Sequence, residues 1–333
     1  MESNRKGVST NIIDHIVHLT PPGSVKETIE QFASLGFNVI PGGVHADGLT
    51  ENALVILADG AYVELISFTH LVSYYPPGSP ARLAREAHPW SEASGPGARP
   101  GWIDFAFLGL GSSNHPPSDD EHLDLSDVIN ERSKKEGSEV SYLKTIPGGR
   151  VRPDGRELRW KITAPDAGVH GRGFLPFFCG DVTERLLRVP LEPPTNAQHP
   201  NTTKALAHLH FIAPLDADLQ HFAKQITTVI GRPPISSFSS SAAAGSSSPQ
   251  EFTWELISPS SRRNSELTDG AAPSTPTPKL ILSFAKPDDN LEGKLGLERR
   301  PFLHEVAFWA DQAQETKMSP YGRIRWLKLT EQE

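Results

Sequence analysis

A chain of 333 residues is long enough for about two domains of ordinary size. Its 40 acidic residues outnumber 32 basic ones, a formal charge of −8, which argues against an extended basic footprint for nucleic acid or anionic lipid. A single cysteine, Cys179, rules out an intrachain disulfide and fits a reducing compartment. The hydrophobic share of 37% is low for a packed globule, so part of the sequence is expected to lie outside any core. "MESNRKGVST" lacks the apolar core of a leader, and no segment offers the roughly 18 apolar residues of a membrane span. The expected location is cytoplasmic.

The first element is "NIIDHIVHL". Alternation places Ile13, Val17 and Leu19 on one apolar face, and His15 falls among them. A helix follows in "PPGSVKETIEQFASLGF": Ser24 and Glu27 have capping-box spacing, Val25, Ile29 and Phe32 make the buried stripe, and Gly36 ends it. Then come "FNVI", a turn at Gly42 and Gly43, "NALVILAD", a turn at Asp59-Gly60, and "AYVELISF". In the last of these, Glu64 shares a face with Tyr62 and Ile66. The order is β-α-β-β-β over residues 12–70.

A long connection, "YYPPGSPARLAREAHPWSEASGPGARP", follows, with a short helix expected near Ala81–Ala87. A connection of this length more often shapes a site than fills space. The pattern then repeats over residues 100–190. "GWIDFAFLGL" is a strand with Asp104 on the face of Trp102 and Ala106. A helix entered from Ser118 and Glu121 carries Leu125, Val128 and Ile129. "GGRVRPDG", "RELRWKITAP" and "GFLPFFCGDV" supply turns and strands.

The third unit opens with "LAHLHFIAP", where His208 and His210 share a face. Its helix, "DADLQHFAKQITTVIG", buries Leu219, Phe222, Ile226 and Val229 and stops at Gly231; "EFTWELIS" and "KLILSFAKP" look like its later strands. A final strand, "FLHEVAFWA", resembles the opening strand of another unit and carries Glu305, a partner for His208 and His210 if the strand returns beside "LAHLHFIAP". Ser/Pro-rich tracts at 233–250 and 258–278 lack apolar periodicity and read as flexible insertions. Aligned, the openings "IIDHIVHL", "GWIDFAFL", "ALAHLHFI" and "FLHEVAFW" set His15, Asp104, His208 and Glu305 at corresponding points of an internal repeat. Two organisational units follow: 12–195, built of two modules, and 196–333, a third module plus the last strand.

Over residues 12–68, "IDHIVHL", "GFNVIPGGVHADGLTEN" and "YVELISF" resemble the glyoxalase-like domain proteins of the vicinal oxygen chelate superfamily. The likeness continues more weakly through "RPDGRELRW" and "LPFF" to "HPN" at His199–Asn201. It implies an α+β fold in which tandem βαβββ modules form open, curved mixed sheets around a cavity, with helices outside. It also implies metal ligands on the first and fourth strands of paired modules, here His15, Glu64 and Asp104, with the fourth position near Phe177, which cannot ligate. One imidazole and two carboxylates suit Mn, Fe, Zn or Ni as a divalent ion. Glu64 is then a ligand or a catalytic base.

The bland reading of His15 and Glu64 is a hydrogen-bonded polar pair inside a barrel; for Asp104 it is an ion pair with an arginine such as Arg152. His45 and Asn52 either brace a hairpin or read a substrate at the cavity mouth. Arg152 either clamps an acid or belongs to a "PDG" turn. Trp102 and Phe177 are expected to wall the cavity, and Cys179 to be a buried thiol without a nucleophilic role. No P-loop, dinucleotide fingerprint or nucleophile elbow occurs, so no nucleotide cofactor is expected. The resemblance supports a metal-assisted lyase, isomerase or oxygenase acting on a small oxygen-rich substrate. The alternatives are a metal-free small-molecule binding protein and, more weakly, a scaffold using the Ser/Pro-rich insertions. The sequence leaves the oligomeric state open.

Overall fold

The computed structural model describes residues 8–91, 101–111, 123–152, 154–214, 217–238, 251–260, 275–285, 300–319 and 322–329. Both Ser/Pro-rich tracts lie largely outside these residues, as do Ser118 and Glu121. The architecture is α+β, with two mixed sheets. The first module is β1 (Ile13–Thr20), α1 (Val25–Ser34), β2 (Ile40–Val44), β3 (Thr50–Ile56) and β4 (Tyr62–Phe68). After α2 (Pro80–Ala87) the second is β5 (Gly101–Leu108), α3 (Leu125–Glu136), β6 (Ile146–Val151), β7 (Glu157–Thr163), α4 (Ala167–His170) and β8 (Phe177–Asp181), followed by the single turn α5 (Arg185–Arg188).

These strands form one eight-stranded sheet in the order β2-β3-β4-β1-β5-β8-β7-β6. In each module the first and fourth strands are parallel neighbours, and the two modules join antiparallel through β1 and β5. The sheet curls until its ends meet: His45 beyond β2 bridges Arg150 on β6, and the Ala46 amide donates to the Gly149 carbonyl at 3.0 Å. That seam closes the concave side into a cavity.

The second sheet repeats the plan. It contains β9 (Thr203–Ala213), α6 (Leu219–Ile230) outside it, β10 (Ser236–Phe238), β11 (Glu251–Glu255), β12 (Lys279–Phe284), β13 (Phe302–Ala310), β14 (Gln314–Ser319) and β15 (Gly322–Lys328). The strand order is β10-β11-β12-β9-β13-β15-β14. "FLHEVAFWA" is therefore not a lone last strand. It opens a fourth, abbreviated unit, in which a short turn after Ala310 stands where the other units have a helix and a strand, and β15 returns parallel to β13. Glu305 accordingly meets the third module, its carboxylate 2.9 Å from His208 Nε2.

Helix boundaries follow local chemistry. α3 is capped by the Asp124 carboxylate and ends at Gly137 in the left-handed region; α6 is capped by Asp218 and ends at Gly231. The capping box expected at α1 does not form, because the Ser24 hydroxyl donates backward to the Pro21 carbonyl at 2.6 Å. Among the described residues no helix is long and apolar enough to cross a membrane.

Apolar burial is densest where the halves meet. Phe105 lies 5.1 Å from Phe211, and Phe37 lies 5.6 Å from Phe308 and 5.9 Å from Trp326, between ring centroids. Arg132 on α3 donates to the Thr228 and Val229 carbonyls at the end of α6, where a cation meets the negative helix terminus. Trp102 belongs to this junction rather than to the cavity wall. Its ring packs edge-on against His18, and its Nε1–H donates to the Arg323 carbonyl at 3.0 Å. Trp102→Phe keeps most of the ring but orphans that carbonyl. The expected loss is about 1–3 kcal/mol, read from the urea midpoint.

Candidate active site

Strict alternation would send Ile13 and His15 to the same side of β1. The pairing of Ile13 with Phe107 and of His15 with Ala106 leaves Asp14 as one extra residue, a β-bulge. The bulge reverses the phase. Ile13 joins the core between the halves, while His15 faces the cavity with Val17 and Leu19 below it. A matching irregularity at Ile103 puts Trp102 and Asp104 on opposite faces of β5, which is why Trp102 is not in the cavity.

The cavity measures about 430 Å³, within the range of small-molecule sites. His15 lies on its floor, stacked on Tyr62 at 4.7 Å and edge-on to Phe177 at 5.3 Å. Its Nδ1 is 2.8 Å from Asp14 Oδ2. Burial pushes the Asp14 carboxyl up, but the guanidinium groups of Arg185 and Arg188 outweigh it and hold the group well below the usual range. An ionised Asp14 only accepts, so His15 carries its proton on Nδ1 and turns Nε2 toward Glu64 Oε2, 3.7 Å away.

Glu64 sits between two imidazoles. His45 Nε2 lies 3.7 Å from its other oxygen, and Asn52 Nδ2 donates to that same oxygen. His45 is anchored through Nδ1 to Thr50 Oγ1 at 2.7 Å; burial keeps it neutral by lowering its pKa, against the opposing pull of Glu64. His45 and Asn52 thus both line the cavity and brace its hairpin.

Asp104 is not brought to this group. It is fully buried and taken by Arg172, whose Nε and Nη2 lie 2.9 and 2.6 Å away, and by the Trp90 Nε1–H at 2.9 Å. Its arginine partner is Arg172, not Arg152. Phe177 holds the fourth-strand position as expected, with the Arg172 guanidinium over its ring at 5.0 Å. Of the ligands implied by the resemblance, two remain together. Among the described residues no three His, Cys, Asp or Glu side chains gather as a metal site. The donor set at the family positions does not fit a resident divalent ion.

Arg152 leaves the site for a physical reason: it lies just past the end of β6, in the "PDG" turn, bonded to the Leu187 carbonyl and paired with Asp154. Two residues earlier, still on the strand, Arg150 lines the cavity and donates to Asn52 Oδ1 at 3.0 Å. The sequence reading passed over it. It also passed over His88 and Trp90, which the long connection delivers to the wall, and Tyr62, whose hydroxyl accepts from Arg188 at 2.8 Å. Burial lowers His88 to about 4 and raises Tyr62 well above its ordinary value, so both are neutral near pH 7. Cys179 also lines the cavity, but burial pushes its thiol up, so it is no thiolate nucleophile.

A family model described as a glyoxalase-like domain matches residues 13–228. Among solved structures, a hypothetical protein from Staphylococcus aureus is similar over 95% of this chain and 98% of its own, at 12% identity and a TM-score of 0.55. A variant of 4-hydroxymandelate synthase from Streptomyces coelicolor aligns over 92% of this chain and 72% of its own, at 13% identity and a TM-score of 0.45. Methylmalonyl-CoA epimerase from Mycobacterium tuberculosis aligns over 56% and 97%, at 15% identity and 0.31. No curated protein sequence matches the chain. With the family match covering more than half of its residues, the chain belongs to the glyoxalase-like domain family.

Proposed function

We propose that the cavity of the first sheet is the active site of a small-molecule enzyme in which Glu64 transfers a proton on an oxygen-rich substrate, as in an isomerase or lyase. The observation that carries this reading is the Asp14–His15–Glu64 line with His45 on the opposite carboxylate oxygen. Asp14 fixes the tautomer of His15. Asn52 holds the Glu64 carboxylate facing the cavity, with the His45 imidazole beside it. The Tyr62 hydroxyl, already accepting from Arg188, keeps its own proton to donate to a substrate oxygen as charge develops there. No step is routed through a metal, because Asp104 is held by Arg172 and Phe177 is not a ligand.

The test is proton exchange and turnover of a panel of small aldehydes, ketones and hydroxycarbonyls in D2O, followed by NMR. Glu64→Gln is expected to slow the reaction by about 10²–10⁴-fold with ligand binding retained. Dialysis against EDTA should leave the wild-type rate unchanged. A rate indifferent to Glu64→Gln, or one abolished by EDTA and restored by a divalent ion, overturns the proposal.

The second reading is sequestration without turnover. It is favoured by the aromatic wall of Trp90, Trp160 and Phe177. It predicts binding that Glu64→Gln leaves intact, and no exchange with any panel member.

A further inference from the structure

Among the described residues, each arginine at the cavity but one is paired with a carboxylate. Arg185 and Arg188 are matched by Asp14 and Asp181, and Arg172 by Asp104. Arg150 has no carboxylate within ion-pair distance among the described residues. Among the described residues its hydrogen-bond acceptor is a neutral amide oxygen, Asn52 Oδ1, which takes a single N–H from Nη1. Yet Arg150 is only 4% exposed and lines the cavity. A buried guanidinium facing neutral acceptors carries a desolvation cost that an arriving anion would relieve.

The surroundings are shaped for this side chain. It springs from the seam strand β6 and passes beneath β2, where residue 42 is glycine; a Cβ there would fall 2.5 Å from Arg150 Nη1 and 2.0 Å from Asn52 Oδ1. Gly42 is therefore the space the guanidinium occupies. Glu64 reaches Arg150 only through Asn52, which accepts from the arginine and donates to the carboxylate. Glu64 thus stays oriented by Asn52, while among the described residues the remaining N–H groups of Arg150 meet no acceptor.

We infer that Arg150 is an anion clamp that binds the carboxylate of a small organic acid, whose flat apolar body lies against Trp90, Trp160 and Phe177. The inference rests on the cavity being a small-molecule site, as proposed above, and adds the class of ligand. A guanidinium offers two parallel donors that match a carboxylate edge. With the Glu64 carboxylate only one amide away, a singly charged carboxylate is better tolerated here than a phosphate monoester, which is close to −2 at neutral pH. The acidic groups facing the clamp are Glu64, held by Asn52, and Asp47, exposed at the mouth and bonded to the Leu49 amide. A bound acid therefore places its carboxylate at Arg150, with the rest of the molecule extending past Glu64.

The experiment is isothermal titration of the full chain with matched probes: cinnamate against cinnamamide, phenylacetate against phenylacetamide, and phenyl phosphate. The acids are expected to bind at least about tenfold tighter than their amides, roughly the worth of one charge-assisted pair. Arg150→Gln should erase that preference, the acids losing at least about tenfold more affinity than their amides. Arg150→Lys, which keeps the charge but not the fork, should retain part of it and serves if the glutamine variant does not fold. Equal binding of acid and amide, a preference that survives Arg150→Gln, no binding of either acid, or tighter binding of phenyl phosphate overturns the inference. Failure of the two proposals is separable. A preference abolished by Arg150→Gln, beside turnover indifferent to Glu64→Gln, sinks the proton-transfer reading and leaves the clamp. Glu64-dependent turnover of neutral carbonyls without acid preference does the reverse.

Discussion

Arg188→Ala is expected to destabilise the fold by about 3–5 kcal/mol, the usual result of removing one partner from a buried ion network. Arg188 reaches Asp14 Oδ2 through Nη1 at 2.9 Å, Asp181 Oδ2 through Nη2 at 2.9 Å, and the Tyr62 hydroxyl. Asp14 is fully buried and Asp181 nearly so. With Arg188 gone, two carboxylates share Arg185 alone, and one negative charge is left uncompensated in a medium that cannot solvate it. Arg188→Met combined with Asp181→Leu removes one charge of each sign and is expected to cost much less. Urea denaturation of the single and double variants checks this; equal losses would mean that packing rather than charge sets the cost. The network also reaches function, because Asp14 orients His15. The single variant should therefore lose activity at temperatures where it is still folded.

Acidification is expected to produce the other large effect. Burial lowers His18 to about 3 and His88 to about 4, and it lowers His45, His170 and His199 as well. Unfolded histidines titrate near 6.5. Below that pH the unfolded chain takes up protons that the folded chain refuses, so stability is full above about 6.5 and falls as pH drops. For His18 alone the slope is about 1.4 kcal/mol per pH unit, so roughly 2 kcal/mol is gone by pH 5. The other four act in the same direction. Asp14 and Asp181 add a later limb: their folded values are depressed, so the stability they supply is lost below the unfolded carboxylate value near 3.9. Buried Asp59, raised to about 6, takes up a proton in the folded state over the same range and opposes this loss. The slope of unfolding free energy against pH between about 6.5 and 5, from urea titrations, therefore measures the histidine effect less that of Asp59. His18→Gln should reduce it by close to one proton. A slope unchanged in that variant would contradict the assignment.

The module grammar was legible because helix stripes, glycine stops and apolar strands are local properties. The pairing of His15 with Glu64 came from the family resemblance, since the repeated strand openings do not include Glu64. Alternation failed at two points, and for one reason. The extra residues Asp14 and Ile103 reverse the strand phase, and nothing in "IIDHIV" or "WIDF" announces a bulge, because a bulge is defined by the neighbouring strand's register. That error placed Trp102 in the cavity and Ile13 beside His15. Asp104 was misjudged because its partner lies 68 residues away. The opening of the fourth unit was visible in "FLHEVAFWA", but its later strands were not, because "QETKMS" is a polar edge strand with few buried side chains. Arg150 was passed over in favour of Arg152, as the place where β6 gives way to its turn cannot be read to within two residues.

The closing contact between the ends of the first sheet has a further consequence. His45 and Arg150 are themselves the bridged pair, so two groups of the cavity stand on the last stitch of the barrel, about a hundred positions apart in the chain. If that stitch parts, a molecule that keeps every apolar contact of its centre still loses an imidazole and its unmatched cation together. Competence to hold a ligand would then vanish well before the globule itself came undone.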